Sequence, residues 1–74
     1  HHQGIDPVVL VAIQTRKSLK LTQATFARCL GISPRTVSEW EQGRRQPSGA
    51  ARTLLQWVAS YPDHVKEALK TLQQ

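Results

Sequence analysis

Cys29 is the single thiol of the chain, and His64 beside Asp63 is its one adjacent pairing of an imidazole with a carboxylate. A catalytic nucleophile needs a base and an orienting group within hydrogen-bond reach, and a metal needs several ligands at characteristic spacing. Neither pattern occurs, and there is no phosphate-binding glycine loop, nucleophile elbow or paired carboxylates placed for acid–base work. His64 and Asp63 read as a solvated turn that compensates a helix dipole, and Cys29 reads as a small packing residue without a redox role. No catalysis, no metal and no cofactor are expected.

What the chain carries instead is cationic charge. Ten Lys and Arg stand against five Asp and Glu in 74 residues, a formal charge of +5. A folded domain this basic commonly meets a polyanion. Nucleic acid fits better than a membrane surface, because the sequence has no long uncharged apolar run and no basic amphipathic helix with a broad aromatic face. One cysteine cannot form an internal disulfide, and no secretory leader pattern opens the chain, so a reducing, cytoplasmic setting is expected.

The elements that must position this charge can be read from caps and stripes. At 39% hydrophobic and 20% charged the composition is that of a globular domain. The length allows one core, in which about 60% of the unfolded surface is buried. His1-His2-Gln3-Gly4 reads as a purification-tag or cleavage remnant, which leaves a single domain over residues 5–74. Asp6-Pro7 is a cap followed by a residue of fixed φ, and predicts a first helix from Val8 to about Ser18. Its Val8–Ile13 run could also be a short buried strand, but the Asp-Pro start and the polar continuation favour helix.

Thr22 caps a second helix, Gln23 to Leu30, which Gly31 ends. Ser33-Pro34 repeats the start signal for a third helix reaching about Gln42, with Val37 and Trp40 turned to the core and Arg35, Thr36, Ser38 and Glu39 on other sides. After the Arg44–Gly49 loop, Ser48 caps a fourth helix with an apolar stripe of Ala51, Leu54, Leu55 and Val58. Tyr61-Pro62 breaks it and starts a fifth, with a weaker stripe of Val65, Ala68, Leu69 and Leu72. The expected fold class is all-α with five helices.

Two short helices joined by a tight turn containing glycine allow one helix to enter the major groove while the other crosses the backbone. Between Thr22 and Gly43 the spacing meets that need: Ala27 is small where the helices approach, Gly31 lies in the turn, and Ile32, Val37 and Trp40 close the inside. Over Leu21 to Pro47 the sequence closely resembles the Xre and Cro/repressor helix-turn-helix family. Leu-Thr-Gln, Phe-Ala, Leu-Gly-Ile-Ser, Thr-Val-Ser, Trp-Glu-Gln-Gly and Gln-Pro occur together in register. The remaining helices fit a five-helix lambda-repressor-like domain. The continuation from Pro47 to Leu55, followed by Tyr61-Pro62, resembles the antitoxin (HigA-like) members of that family, which are partners of HigB-like or RelE-like toxins.

The resemblance implies a role for each matching position. Pro34, Arg35, Ser38 and Glu39 stand where the family reads base edges, and Gln23, Thr36, Arg44, Arg45 and Gln46 where it contacts the backbone. Arg35 can take guanine O6 and N7 bidentately. Glu39 can accept from cytosine N4 or pair with Arg35 one turn away, and both readings stand. Pro34 replaces the polar residue common there, which leaves a thymine-methyl contact or none. Trp40 belongs to the core, while Trp57 either caps the core or joins a dimer surface with Leu54, Tyr61 and Val65.

The expected function is sequence-specific binding of double-stranded DNA as a transcriptional repressor. A homodimer would bind a palindromic operator, with half-sites about 34–36 Å apart. The antitoxin resemblance adds autoregulation of a toxin–antitoxin operon and a toxin protein as partner. The alternatives are a stand-alone phage- or plasmid-type repressor, and a module that chiefly neutralises a toxin through the Val8–Ile13 stretch or the C-terminal helices.

Overall fold

Each of the first four helices starts where a short polar side chain can take up N–H groups that have no partner within the helix. In the computed structural model, which describes residues 4–73, Asp6 accepts from Val8 N, Thr22 from Thr25 N, Ser33 from Arg35 N and Ser48 from Ala51 N. The helices that follow are α1 Pro7–Ser18, α2 Gln23–Leu30, α3 Pro34–Glu41, α4 Gly49–Ser60 and α5 Pro62–Leu72, with no strand among the described residues. The all-α, five-helix reading holds, and the Val8–Ile13 run is helical. Of the residues read as a tag or cleavage remnant, His1, His2 and Gln3 lie outside the described ones.

The chain turns sharply three times by one device. After α1, Leu21 N bonds Arg16 O and Lys20 N bonds Lys17 O; after α2, Ile32 N bonds Ala27 O and Gly31 N bonds Arg28 O; after α3, Arg44 N bonds Glu39 O and Gly43 N bonds Trp40 O. This paired pattern satisfies the last carbonyls and requires a left-handed residue at its centre. Gly31 and Gly43 supply it at φ of 70° and 74°, without a Cβ to clash. The first turn has Lys20 at φ 60° instead. A lysine accepts that conformation at a cost of about 1–2 kcal/mol, so the remaining contacts of the α1–α2 turn must hold it there.

Those contacts come from an ion pair. Arg16 Nε and Nη2 donate to the two carboxylate oxygens of Glu41 at 3.0 Å each, and Arg16 Nη1 donates to Leu21 O at 2.9 Å. Both side chains are nearly buried, 13% and 10% exposed. One residue of α1 thereby clamps the end of α3 and the turn into α2.

Every helix contributes to one core: Val9 and Ala12, Phe26 and Ala27, Val37 and Trp40, Leu55 and Val58, and Val65. Phe26, Leu55, Val9 and Val37 are fully enclosed, and each such burial contributes about 1.5–3 kcal/mol. Ala27 has no exposed surface at all, as the close approach of α2 and α3 demands. α1 packs on α4, and α2 on α5. Asp6, whose other oxygen caps α1, also pairs with Arg52 and so ties the start of α1 to α4. No helix among the described residues is long and apolar enough to cross a membrane.

Breaking a nearly buried pair leaves an uncompensated charge, at about 3–5 kcal/mol, comparable to the whole stability of a domain this small. Glu41→Ala is therefore expected to leave most of the chain unfolded at 37 °C by circular dichroism. Arg16→Met with Glu41→Leu should restore much of the helical signal, because the apolar replacement strands no charge. A single Glu41→Ala variant that melts like the parent would show that the clamp is not needed.

Candidate nucleic-acid interface

α3 has two chemical faces because its eight residues make little more than two turns. Val37 and Trp40 fall inside at i, i+3 spacing and are buried, which forces Arg35 and Ser38 outward, while Pro34 is exposed at the first position of the helix. Pro34 and Arg35 are exposed, the Arg35 side chain to 87%. Ser38 and Glu39 are half-buried on the same side, and Thr36 is half-buried beside them. Ser38 Oγ accepts from Gln42 Nε2 at 2.9 Å, which orients the hydroxyl so that its own proton is free to point elsewhere.

Arg44, Arg45 and Gln46 are all exposed in the loop after α3, whose entry is set by the left-handed Gly43. Gln46 Nε2 donates to Gly4 O at 3.1 Å. The four expected base-reading positions and three of the five expected backbone positions are thus outward-facing and contiguous along α3 and its loop, or nearly so. Glu39 realises the pairing with Arg35, at 3.7 Å, and adds a second pairing with Arg45, at 3.6 Å, which spacing alone does not reveal.

Gln23 has a partner that the motif does not specify. It begins α2, as the motif requires, but its Nε2 donates inward to Glu41 Oε1 at 2.8 Å. One of its two amide protons is therefore spent on the clamp, and only the other is left for a phosphate. Arg16 and Glu41, which seat α3, were not among the candidate residues. The signal was a charged residue at the inner i+4 position from Val37, where a solvated carboxylate does not belong.

At the opposite end of the chain, Trp57 is 62% exposed and Tyr61 56% exposed, so Trp57 does not cap the core. Val65, grouped with them in the dimer reading, is buried and belongs to the core instead. Tyr61 stacks on His64 with ring centroids 5.4 Å apart. Beside them an open apolar depression of about 160 Å³ is lined by residues including Cys29, Leu30, Leu54 and Trp57. Burial pushes the Cys29 thiol above its ordinary pKa, against a smaller opposing effect of Arg28. Among the described residues no three His, Cys, Asp or Glu side chains are grouped to hold a metal.

The helix-turn-helix family model matches residues 13–51. Among curated relatives, Antitoxin HigA-2 of Vibrio cholerae serotype O1 is 41% identical over 67 residues, covering 86% of this chain and 62% of that protein. The uncharacterized HTH-type transcriptional regulator YiaG of Escherichia coli K12 is 37% identical over 57 residues, 77% of this chain and 59% of that protein. The type II methyltransferase M.SsoII of Shigella sonnei is 36% identical over 61 residues, but these are only 15% of its length. The chain thus spans about six-tenths of the length of the two regulators, and the enzyme shares with it a small segment.

If Arg44 and Arg45 contact phosphates, each supplies about 0.9 to the slope of log affinity against log salt. Arg44→Ala with Arg45→Ala should accordingly flatten that slope, by about 1.8 on a duplex where both side chains reach phosphates. A slope equal to that of the parent would remove both residues from the backbone contacts.

Proposed function

The chain belongs to the helix-turn-helix family, and on that premise we propose that residues 5–74 are a sequence-specific DNA-binding domain that represses transcription. α3 is the recognition helix. The observation that carries this reading is the division of α3 into a buried face of Val37 and Trp40 and an outward face of Pro34, Arg35, Ser38 and Glu39, with Arg35 almost wholly exposed. A guanidinium held on a short helix by a buried tryptophan can enter the major groove and take a guanine edge bidentately, which is worth about 1–3 kcal/mol against the wrong base. Thr36, Arg44, Arg45 and Gln46 set its register on the phosphates, and Gln23 does so with the amide proton that the clamp leaves free.

One recognition helix reads too few base pairs to single out a site, so two copies on a palindromic operator complete the reading. The exposed Trp57 and Tyr61, one turn apart at the end of α4, supply the large aromatic anchors that self-association needs. The similarity to an antitoxin favours a more particular role, the antitoxin of a toxin–antitoxin operon that regulates its own promoter. Leu10 and Val11, nearly half exposed on α1, offer an apolar surface to the toxin.

Titrating the domain onto its own upstream DNA by mobility shift, with and without the neighbouring gene's product, tests these roles together. Binding that the neighbour strengthens or tunes is the antitoxin's signature, and specific binding indifferent to it leaves a stand-alone repressor. Arg35→Ala should abolish the preference for operator over mixed-sequence DNA while leaving partner binding intact. Equal loss of both in a folded variant would refute the assignment of Arg35. In sedimentation, Trp57→Glu should convert a dimer to a monomer with an unchanged helical spectrum; a parent chain already monomeric at operator-binding concentrations excludes the dimer.

A further inference from the structure

Glu39 is the only carboxylate on the outward side of α3 and its following loop among the described residues. Glu41 is turned inward to Arg16, Asp6 serves Arg52, and Asp63 and Glu67 lie on α5. Its two oxygens face two different cations, Oε2 at 3.7 Å from Arg35 Nε and Oε1 at 3.6 Å from Arg45 Nη1. The carboxylate is the seated member of the trio, 29% exposed, whereas Arg35 and Arg45 are 87% and 63% exposed and reach toward it. One side chain thus gathers a cation of the recognition helix and a cation of the backbone-contacting loop.

Ion pairs this exposed are weak and exchange readily. On DNA of arbitrary sequence, an arginine that moves to a phosphate must leave Glu39, and the carboxylate it leaves stands unpaired against a polyanion. Both steps oppose binding, and neither depends on sequence. A site that presents a base-edge donor to the carboxylate removes that opposition, and the donor on base edges in the major groove that suits a carboxylate is the N4 amino group of cytosine. Arg35, released at the same moment, is free to take a neighbouring guanine.

The geometry points to Glu39 as a specificity-determining positioning residue. It restrains Arg35 and Arg45 on mixed-sequence DNA and releases them where a cytosine N4 group takes the carboxylate. The inference rests on the reading of α3 as the DNA-reading helix and adds the means by which unwanted sequences are rejected.

Glu39→Gln keeps the size of the side chain and removes its charge. Its binding to a mixed-sequence duplex across a range of salt is compared with that of the parent, of Arg35→Ala with Arg45→Ala, and of the triple variant. Glu39→Gln is expected to raise mixed-sequence affinity about 5- to 20-fold at low salt and to steepen the log–log salt slope by about 0.9 for each arginine released. In the background lacking both arginines the same change should give a clearly smaller gain, that of relieving the unpaired carboxylate alone, since the coupling to the arginines has been removed. Equal gains in both backgrounds would reveal a bulk charge effect and overturn the positioning role, as would no gain in either. A parent chain that binds no duplex at all fails the DNA-reading assignment itself, and the inference falls with it. Circular dichroism, with thermal midpoints within a few degrees of the parent, establishes that every variant compared is folded.

Discussion

The bidentate pair of Arg16 and Glu41 is the contact on which the rest of this small domain depends. It joins the last turn of α1 to the last residue of α3, and through Gln23 and Leu21 O it also holds the start of α2 and the turn before it. Three helices whose apolar faces could slide on one another are locked in register by directional bonds. A core of nine buried residues among those described, most of them aliphatic, does not by itself dictate such a register, because the hydrophobic effect is non-directional. A nearly buried charge pair does, since any other register strands a charge.

The register matters because the domain's chemistry lies on a helix of eight residues. An isolated helix that short is marginal in water, so α3 exists only by packing. Trp40 and Val37 anchor it, Ala27 lets α2 approach closely, and Glu41 ends it on the clamp. Arg35 and Ser38 are then presented outward by exclusion from the core. The rigidity of the presentation comes from beneath, and the adaptability comes from the long side chain of Arg35 at the surface.

The charge of +5 is not spread as a uniform cationic coat. Arg16 and Arg52 are consumed in structural pairs, and Arg35 and Arg45 share Glu39. The count of ten Lys and Arg therefore overstates the number of cations free to meet phosphates. The exposed aromatic pair Trp57 and Tyr61 lies on α4 and the residue after it, on elements other than the one that presents Arg35. A fold of five helices thus has separate elements available for DNA and for protein contact.

Much of this was legible in the sequence because the signals are local. Asp6, Thr22, Ser33 and Ser48 cap their own helices, Gly31 and Gly43 turn the chain where only a residue without Cβ does so easily, and the spacing of Val37 and Trp40 decides which side of α3 faces out. The interactions decided by the tertiary structure link residues far apart in the chain or depend on a complete surface. Arg16 meets Glu41 across 25 positions, and Gln23 is drawn to the same carboxylate across 18. Arg45 reaches Glu39 only because Gly43 folds the loop back, Lys20 takes a left-handed conformation that its type disfavours, and Trp57 lies outside a core that Leu55, Val58 and Val65 already fill. Caps and periodicity depend on neighbours within a turn or two, whereas a charge's partner and an aromatic ring's exposure are decided only when every helix has been placed.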